Sequence, residues 1–87
     1  MVIERVRPGR ATDVYRRFRD RGRMAPAGVR CVASWVGMDF ELCFQVMEAE
    51  SAEQLARWTA NWTDLVDFEI VPVRTSAEAA ELIAREL

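Results

Sequence analysis

The sequence predicts an α+β domain of the ferredoxin-like class, βαββαβ with an extra C-terminal helix. Four segments alternate apolar and polar residues as strands do, and three segments have helical spacing and helix-start signals. These segments follow one another in the order β-α-β-β-α-β-α. With 87 residues, of which 51% are hydrophobic, the chain has room for one core. We therefore predict a single domain over residues 1–87, with two main helices on one face of a four-stranded antiparallel sheet.

The first predicted strand and helix come from the N-terminal quarter of the chain. Residues 2–7 combine β-branched and charged side chains and predict a strand, and Pro8-Gly9 ends the run. We expect Thr12 to cap a helix that continues to about Arg23. A Pro- and Gly-containing loop, Met24 to Gly28, follows it.

Two β-rich runs, Val29–Val36 and Phe40–Glu48, predict a hairpin around Gly37-Met38-Asp39. Alternation divides their side chains between two faces. We assign the wholly apolar face, which includes Leu42, Phe44 and Val46, to the core. The other face mixes polar and apolar residues, which is typical of a surface covered by a second protein layer. The residues predicted for this dimer face are Cys31, Trp35, Glu41, Cys43 and Met47.

The C-terminal half contains two capping boxes, Ser51 to Gln54 and Thr75 to Glu78, and each predicts a helix start. The helix that starts at Ser51 presents one apolar arc, which consists of Leu55, Trp58, Thr59, Trp62, Leu65 and Val66. Residues 67–74 predict a fourth strand, and Pro72 places it at a sheet edge or at a bulge. The last helix has a narrow packing stripe made of Ala79, Ala80, Ile83, Ala84 and Leu87.

Composition excludes several classes of chemistry. The chain has no histidine, and all twelve basic residues are arginine, which excludes imidazole relays, histidine-ligated metals and lysine Schiff bases. The two cysteines, Cys31 and Cys43, have no CxxC spacing, and we interpret them as reduced thiols of a cytoplasmic protein. The longest uncharged stretch, residues 31–38, is too short to span a bilayer, and we expect no signal peptide and no membrane partner.

Charge is unevenly distributed. Residues 1–30 hold nine arginines and three acidic residues (+6), whereas residues 31–87 hold three arginines and eleven acidic residues (−8), in agreement with the net charge of −2. A basic stripe can bind nucleic acid, but the acidic complement in the same chain favours pairing within or between subunits. We therefore expect no nucleic-acid partner.

Candidate ligand-binding residues lie on the inner helix faces and on the mixed sheet face. Trp58 and Trp62, one helical turn apart, would line a pocket for a flat hydrophobic ligand, or would be core residues only. Tyr15, Gln45 and Asn61 are the polar candidates near that pocket.

The acidic residues of the sheet have two interpretations. Glu4 and Glu41 would act as buried proton carriers, or would pair with Arg5 or Arg7 or make a polar contact across the dimer. Asp64, Asp67 and Glu69 form an acidic cluster, which we interpret as a solvated edge or a docking surface for the first helix. We predict no metal site, no cofactor and no nucleophilic cysteine, and we assign no catalytic residue.

Four stretches, residues 1–9, 15–30, 34–51 and 58–73, resemble a small bacterial family, the domain-of-unknown-function family 3303. The resemblance covers nearly the whole chain, and residues 62–73 are its most specific part. That family resembles the dimeric α+β barrels, in which two ferredoxin-like sheets close face to face and each subunit keeps a ligand cavity between sheet and helices. The resemblance implies a homodimer. It disfavours the haem-binding members, because these need a proximal histidine.

These observations lead to one main functional expectation, a small homodimeric protein that binds a small hydrophobic or aromatic molecule between sheet and helices. The alternative is a non-catalytic protein-interaction or structural module, and a cofactor-independent monooxygenase or isomerase ranks third. Whether the protein is an enzyme stays open from sequence. A cavity with convergent polar atoms would favour the binding protein, and a closed core would favour the module.

Overall fold

The structure, a computed structural model, describes all residues 1–87 and has the predicted element order. The elements are β1 (Val2–Val6), α1 (Ala11–Arg21), β2 (Val29–Val36), β3 (Leu42–Ala49), α2 (Ala52–Ala60), β4 (Val66–Ile70), α3 (Ser76–Ile83) and a closing 3-10 turn (Ala84–Glu86). The strands form one antiparallel sheet in the order β2-β3-β1-β4. The predicted ferredoxin-like fold class is confirmed.

Both predicted capping boxes start helices. The Ser51 hydroxyl accepts the Gln54 amide at 3.2 Å, and the Thr75 hydroxyl accepts the Glu78 amide at 3.1 Å. The predicted Thr12 cap is wrong, since the N-cap of α1 is Arg10, two residues earlier, and Arg10 makes no side-chain hydrogen bond to the helix backbone. Asp13 in the first turn pairs instead with the Arg10 guanidinium at 3.1 Å, so an ion pair occupies the place of the hydroxyl cap.

The end of α2 and the start of β4 differ from the prediction. The apolar arc continues to Val66 by helical spacing, but α2 ends at Ala60 and a turn leads into β4. In that turn the amides of Leu65 and Val66 both donate to the Trp62 carbonyl, at 3.0 Å each. Val66 is therefore buried as the first residue of β4, which is an edge strand. β4 ends at Ile70, so the predicted continuation of this strand through Pro72 to residue 74 is wrong.

The assignment of the two sheet faces to core and interface is wrong for β3. The helices cover the face that carries Cys43, Gln45 and Met47, whereas Leu42, Phe44 and Val46 point to the open side. Hydropathy misassigned the faces because the covered face surrounds a partly polar cavity, which the pattern does not reveal.

A bulge in β2 changes the face of the residues that follow it. Cys31 pairs with Met47 but Ala33 pairs with Val46, so Val32 has no partner across the ladder. Upstream of the bulge Cys31 lies under the helices. Downstream, Ser34 and Val36 line the covered face and Trp35 lies on the open face beside Phe44.

The core is small and lies between α2 and the sheet. It consists of Val2, Val29, Trp58 and Trp62, with Leu65 and Val66 buried nearby. Only nine of the 87 residues are buried, which is few for a domain that must be stable alone.

The C-terminal segment does not join this core. Every residue from Val71 onward is exposed, and Leu87 is 97% exposed, so the predicted packing stripe of α3 lies open to solvent. The radius of gyration is 15.0 Å, whereas a compact chain of this length has about 12 Å. α3 is therefore an arm that extends from the domain.

Candidate functional site

A cavity of about 120 Å³ lies between the covered sheet face and helices α1 and α2. Its walls are apolar and its floor is polar. The residues that line it are Glu4, Val6, Val14, Tyr15, Phe18, Arg23, Ser34, Val36, Phe40, Cys43, Gln45, Trp58, Trp62 and Val66. An engineered apolar cavity of ~150 Å³ binds benzene, so a ligand about the size of one aromatic ring fits here.

Trp58 and Trp62 are core residues and also line this cavity. Their side chains are 1% and 5% exposed. Both indole N–H groups donate to the same acceptor, the Arg23 carbonyl, at 3.0 Å each. The Trp58 ring also packs edge-on against Phe68, with ring centroids 5.9 Å apart. The two rings therefore offer a ligand apolar surface and no free hydrogen-bond donor.

Three polar side chains form a hydrogen-bonded chain across the cavity floor. The Arg23 guanidinium donates from Nε to the Gln45 amide oxygen at 2.9 Å. The Gln45 amide nitrogen donates in turn to the Glu4 carboxylate. Gln45 is thus fixed in one orientation, since its oxygen faces a donor and its nitrogen faces an acceptor.

Glu4 is a buried carboxylate with no ion pair. Glu4 is 8% exposed, yet it takes part in none of the eight ion pairs of the chain. Arg5 pairs with Glu69 at 3.1 Å and Arg7 with Asp67 at 3.3 Å, so the expected pairing with Glu4 is wrong. Alternation along β1 explains this, because Arg5 points to the open face when Glu4 points to the covered face.

Cys43 and Tyr15 are the other ionisable neighbours of Glu4. Burial raises the pKa of the Cys43 thiol to about 11, and the charge and hydrogen bond of Glu4 add to the effect. Burial also raises the pKa of Tyr15, with Cys43 and Glu4 contributing. Both groups are therefore neutral near pH 7, so Cys43 is a poor nucleophile and Tyr15 keeps its O–H.

Arg17 attaches α1 to the segment that follows α2. Its guanidinium makes two bonds to the Asp64 carboxylate, at 2.8 and 2.7 Å, and lies 5.5 Å from the Trp62 ring centroid. The hydrogen bond from Arg17 lowers the pKa of Asp64 to about 2. The docking interpretation applies to Asp64, which holds the arginine-rich helix over the cavity. It does not apply to the other two residues of the acidic cluster, which pair with Arg5 and Arg7.

The structure brings four of the five candidate ligand-binding residues together: Tyr15, Gln45, Trp58 and Trp62. Asn61 lies outside the lining, and its amide donates to the Met24 carbonyl at 3.1 Å. Glu41 is exposed before β3 and donates its backbone amide to the Asp39 carboxylate at 3.0 Å.

The sequence did not identify Arg23, Ser34 or Phe40 as site residues. Arg23 follows a helix end and was one arginine among many. Ser34 faces the cavity only because of the β2 bulge. Phe40 has a positive φ of 65°, and its ring meets Tyr15 edge-on at 5.8 Å. No pattern predicts these placements, although the inner face of α1 carries Val14 and Phe18 at helical spacing.

Two further observations concern the chain as a whole. Both cysteines are free thiols. None of the helices is both long and apolar enough to cross a membrane.

Comparison with known proteins returns one family. The model of a family described as a domain of unknown function, DUF3303, matches residues 1–87. No curated protein and no solved structure matches the chain.

Proposed function

The chain belongs to the DUF3303 family over its whole length, and we propose that it binds a small hydrophobic or aromatic molecule in the cavity between sheet and helices. The observation that carries this proposal is a ring-sized cavity with tryptophan walls and convergent polar groups. A closed core would instead have favoured an interaction module. Binding is proposed rather than catalysis, because the Cys43 thiol is neutral and the floor holds no activated nucleophile.

The test uses toluene, which has one aromatic ring and no hydrogen-bonding group. We expect saturable binding to the wild-type protein by isothermal titration calorimetry. Val14→Phe places a ring into the cavity and should abolish the binding while the protein stays folded. The matched control, Val32→Phe, adds the same atoms at an exposed position outside the lining and should bind toluene as the wild type does. Toluene binding that survives Val14→Phe would place the site elsewhere.

We also propose that the protein is a homodimer whose two open sheet faces pack together. On that face Trp35 is 56% exposed, and it pairs across the ladder with Phe44, which in turn pairs with Ile3. An apolar cluster on a sheet face is typical of an interface. Three residues predicted for the dimer face, Cys31, Cys43 and Met47, lie under the helices instead, so Trp35 is the member of that set which supports the proposal.

Dimerisation is tested by analytical ultracentrifugation at micromolar concentration. The wild type should sediment as a dimer, and Phe44→Glu should shift it to a monomer, because a carboxylate from each subunit would be buried in the interface. Met38→Glu, at a turn position that is 99% exposed, is the matched control and should stay dimeric. A wild-type monomer would overturn the proposal.

A cytoplasmic location is proposed from the two free thiols.

A further inference from the structure

The acceptor capacity of Glu4 indicates what kind of ligand the cavity selects. A carboxylate has about four lone-pair positions. Within the protein, only the Gln45 amide and the Cys43 thiol hydrogen-bond to Glu4. The thiol is a weak donor. About half of the acceptor capacity of Glu4 is therefore open, in a cavity whose other walls are mostly apolar.

The charges of the lining favour a neutral ligand. An anionic ligand would be repelled by Glu4, which no guanidinium neutralises directly. A cationic ligand would meet Arg23, whose guanidinium lies in the same lining and 5.4 Å from the Phe18 ring. Gln45 lies between the Arg23 guanidinium and the Glu4 carboxylate. A charged ligand that is attracted by one of these two groups is therefore repelled by the other.

The tryptophan and glutamine donors of the lining are already used. The indole N–H groups of Trp58 and Trp62 are bonded to the Arg23 carbonyl, and the Gln45 amide donates to Glu4. The lining donors that remain without a partner are the Nη groups of Arg23 and the Tyr15 hydroxyl, and a ligand that brings its own donor would find the open positions of Glu4.

We propose that the cavity is selective for uncharged single-ring aromatic molecules that carry a hydrogen-bond donor, phenols being the simplest class, and that the Glu4 carboxylate accepts that donor. This inference rests on the proposed function, since it names the ligand class of the same cavity. Hydrogen bonds to a charged acceptor are roughly twice as strong as neutral ones. Phenol should therefore bind about tenfold more tightly than toluene.

The experiment compares toluene, phenol, benzoate and benzylamine, which share one ring, by calorimetry at pH 7 with the wild-type protein. The expected order places phenol first, with benzoate and benzylamine at least tenfold weaker than phenol. Glu4→Gln keeps the shape and removes the charge, so it should lose most of the difference between phenol affinity and toluene affinity. The matched control, Glu69→Gln, changes an exposed carboxylate on the next strand and should keep the difference.

The outcomes separate the two proposals. If neither toluene nor phenol binds, the proposed function fails and this inference fails with it. If toluene binds and phenol binds no better, only the selectivity is overturned. Benzoate as the tightest ligand would identify Arg23 as the dominant group and overturn the role of Glu4. A phenol preference that persists in Glu4→Gln would overturn it as well. The order of the four ligands on the wild-type protein tests the selectivity even if Glu4→Gln does not fold.

Discussion

The shared acceptor of the two buried tryptophans makes a quantitative prediction about stability. Trp58 and Trp62 both donate to the Arg23 carbonyl, at 3.0 Å each. Trp58→Phe or Trp62→Phe removes one donor and part of a buried ring, but the other indole still satisfies the carbonyl. We expect each single substitution to cost about 1–2 kcal/mol of unfolding free energy.

The double substitution removes both donors and leaves a part-buried carbonyl without a partner. An unsatisfied buried acceptor costs about 1–3 kcal/mol beyond the lost bonds. The double variant should therefore exceed the sum of the single variants by about 1 kcal/mol or more. For a domain of this size that excess corresponds to about 4–8 °C in Tm.

Urea-induced unfolding followed by far-ultraviolet circular dichroism measures these free energies without relying on tryptophan emission, which the substitutions themselves change. The control cycle combines Trp58→Phe with Trp35→Phe, because Trp35 lies on the opposite sheet face. The losses of unfolding free energy caused by these two substitutions should add, whatever the size of the loss at Trp35. Additivity within about 0.5 kcal/mol for Trp58 and Trp62 would refute the shared-acceptor argument.

Three more predictions concern ionisation and the C-terminal arm. The pKa of Asp64 is lowered from its ordinary value of 3.8 to about 2, so Asp64 stabilises the folded protein above pH 3.8 and this stabilisation is lost as the pH falls through 2. The Tm difference between wild type and Asp64→Asn should therefore shrink over that pH interval. A Tm difference that stays constant would contradict this prediction. The raised pKa of Cys43, about 11 against 9.0, should keep iodoacetamide from alkylating it in the folded protein until the pH approaches 11, whereas mass spectrometry in urea should show reaction near pH 9. Deleting residues 75–87 should change Tm by less than about 4 °C in the isolated domain, since that arm buries no residue; a larger loss would reveal a contact made by the arm.

The effect of a second copy on this domain follows from its small core. Nine buried residues include two large tryptophans but few aliphatic side chains. Packing of the open faces would bury Trp35 and Phe44 and add apolar area that the single chain lacks. Stability would then depend on protein concentration, and a Tm that rises with concentration is the corresponding signature.

The order of elements and the two capping boxes could be read from the sequence. These features are local, because a hydroxyl three positions before a Gln or Glu and a period of two or 3.6 residues are visible within one segment. The pairing of Trp58 and Trp62 on one inward face was likewise visible from helical spacing. Tyr15 and Gln45 were candidates for the same reason, since periodicity placed each of them on a face.

The tertiary structure alone decided which sheet face the helices cover and how the polar groups of the cavity are partnered. Hydropathy assigned the face of Phe44 to the core, but the cavity places Glu4, Cys43 and Gln45 under the helices. The β2 bulge, the loop position of Arg23 and the absence of an ion pair for Glu4 depend on segments far apart in the chain. Such contacts leave no repeating pattern within any one segment of the sequence. They arise only when strands and helices are brought together, which is why the ligand preference proposed for Glu4 required the folded arrangement.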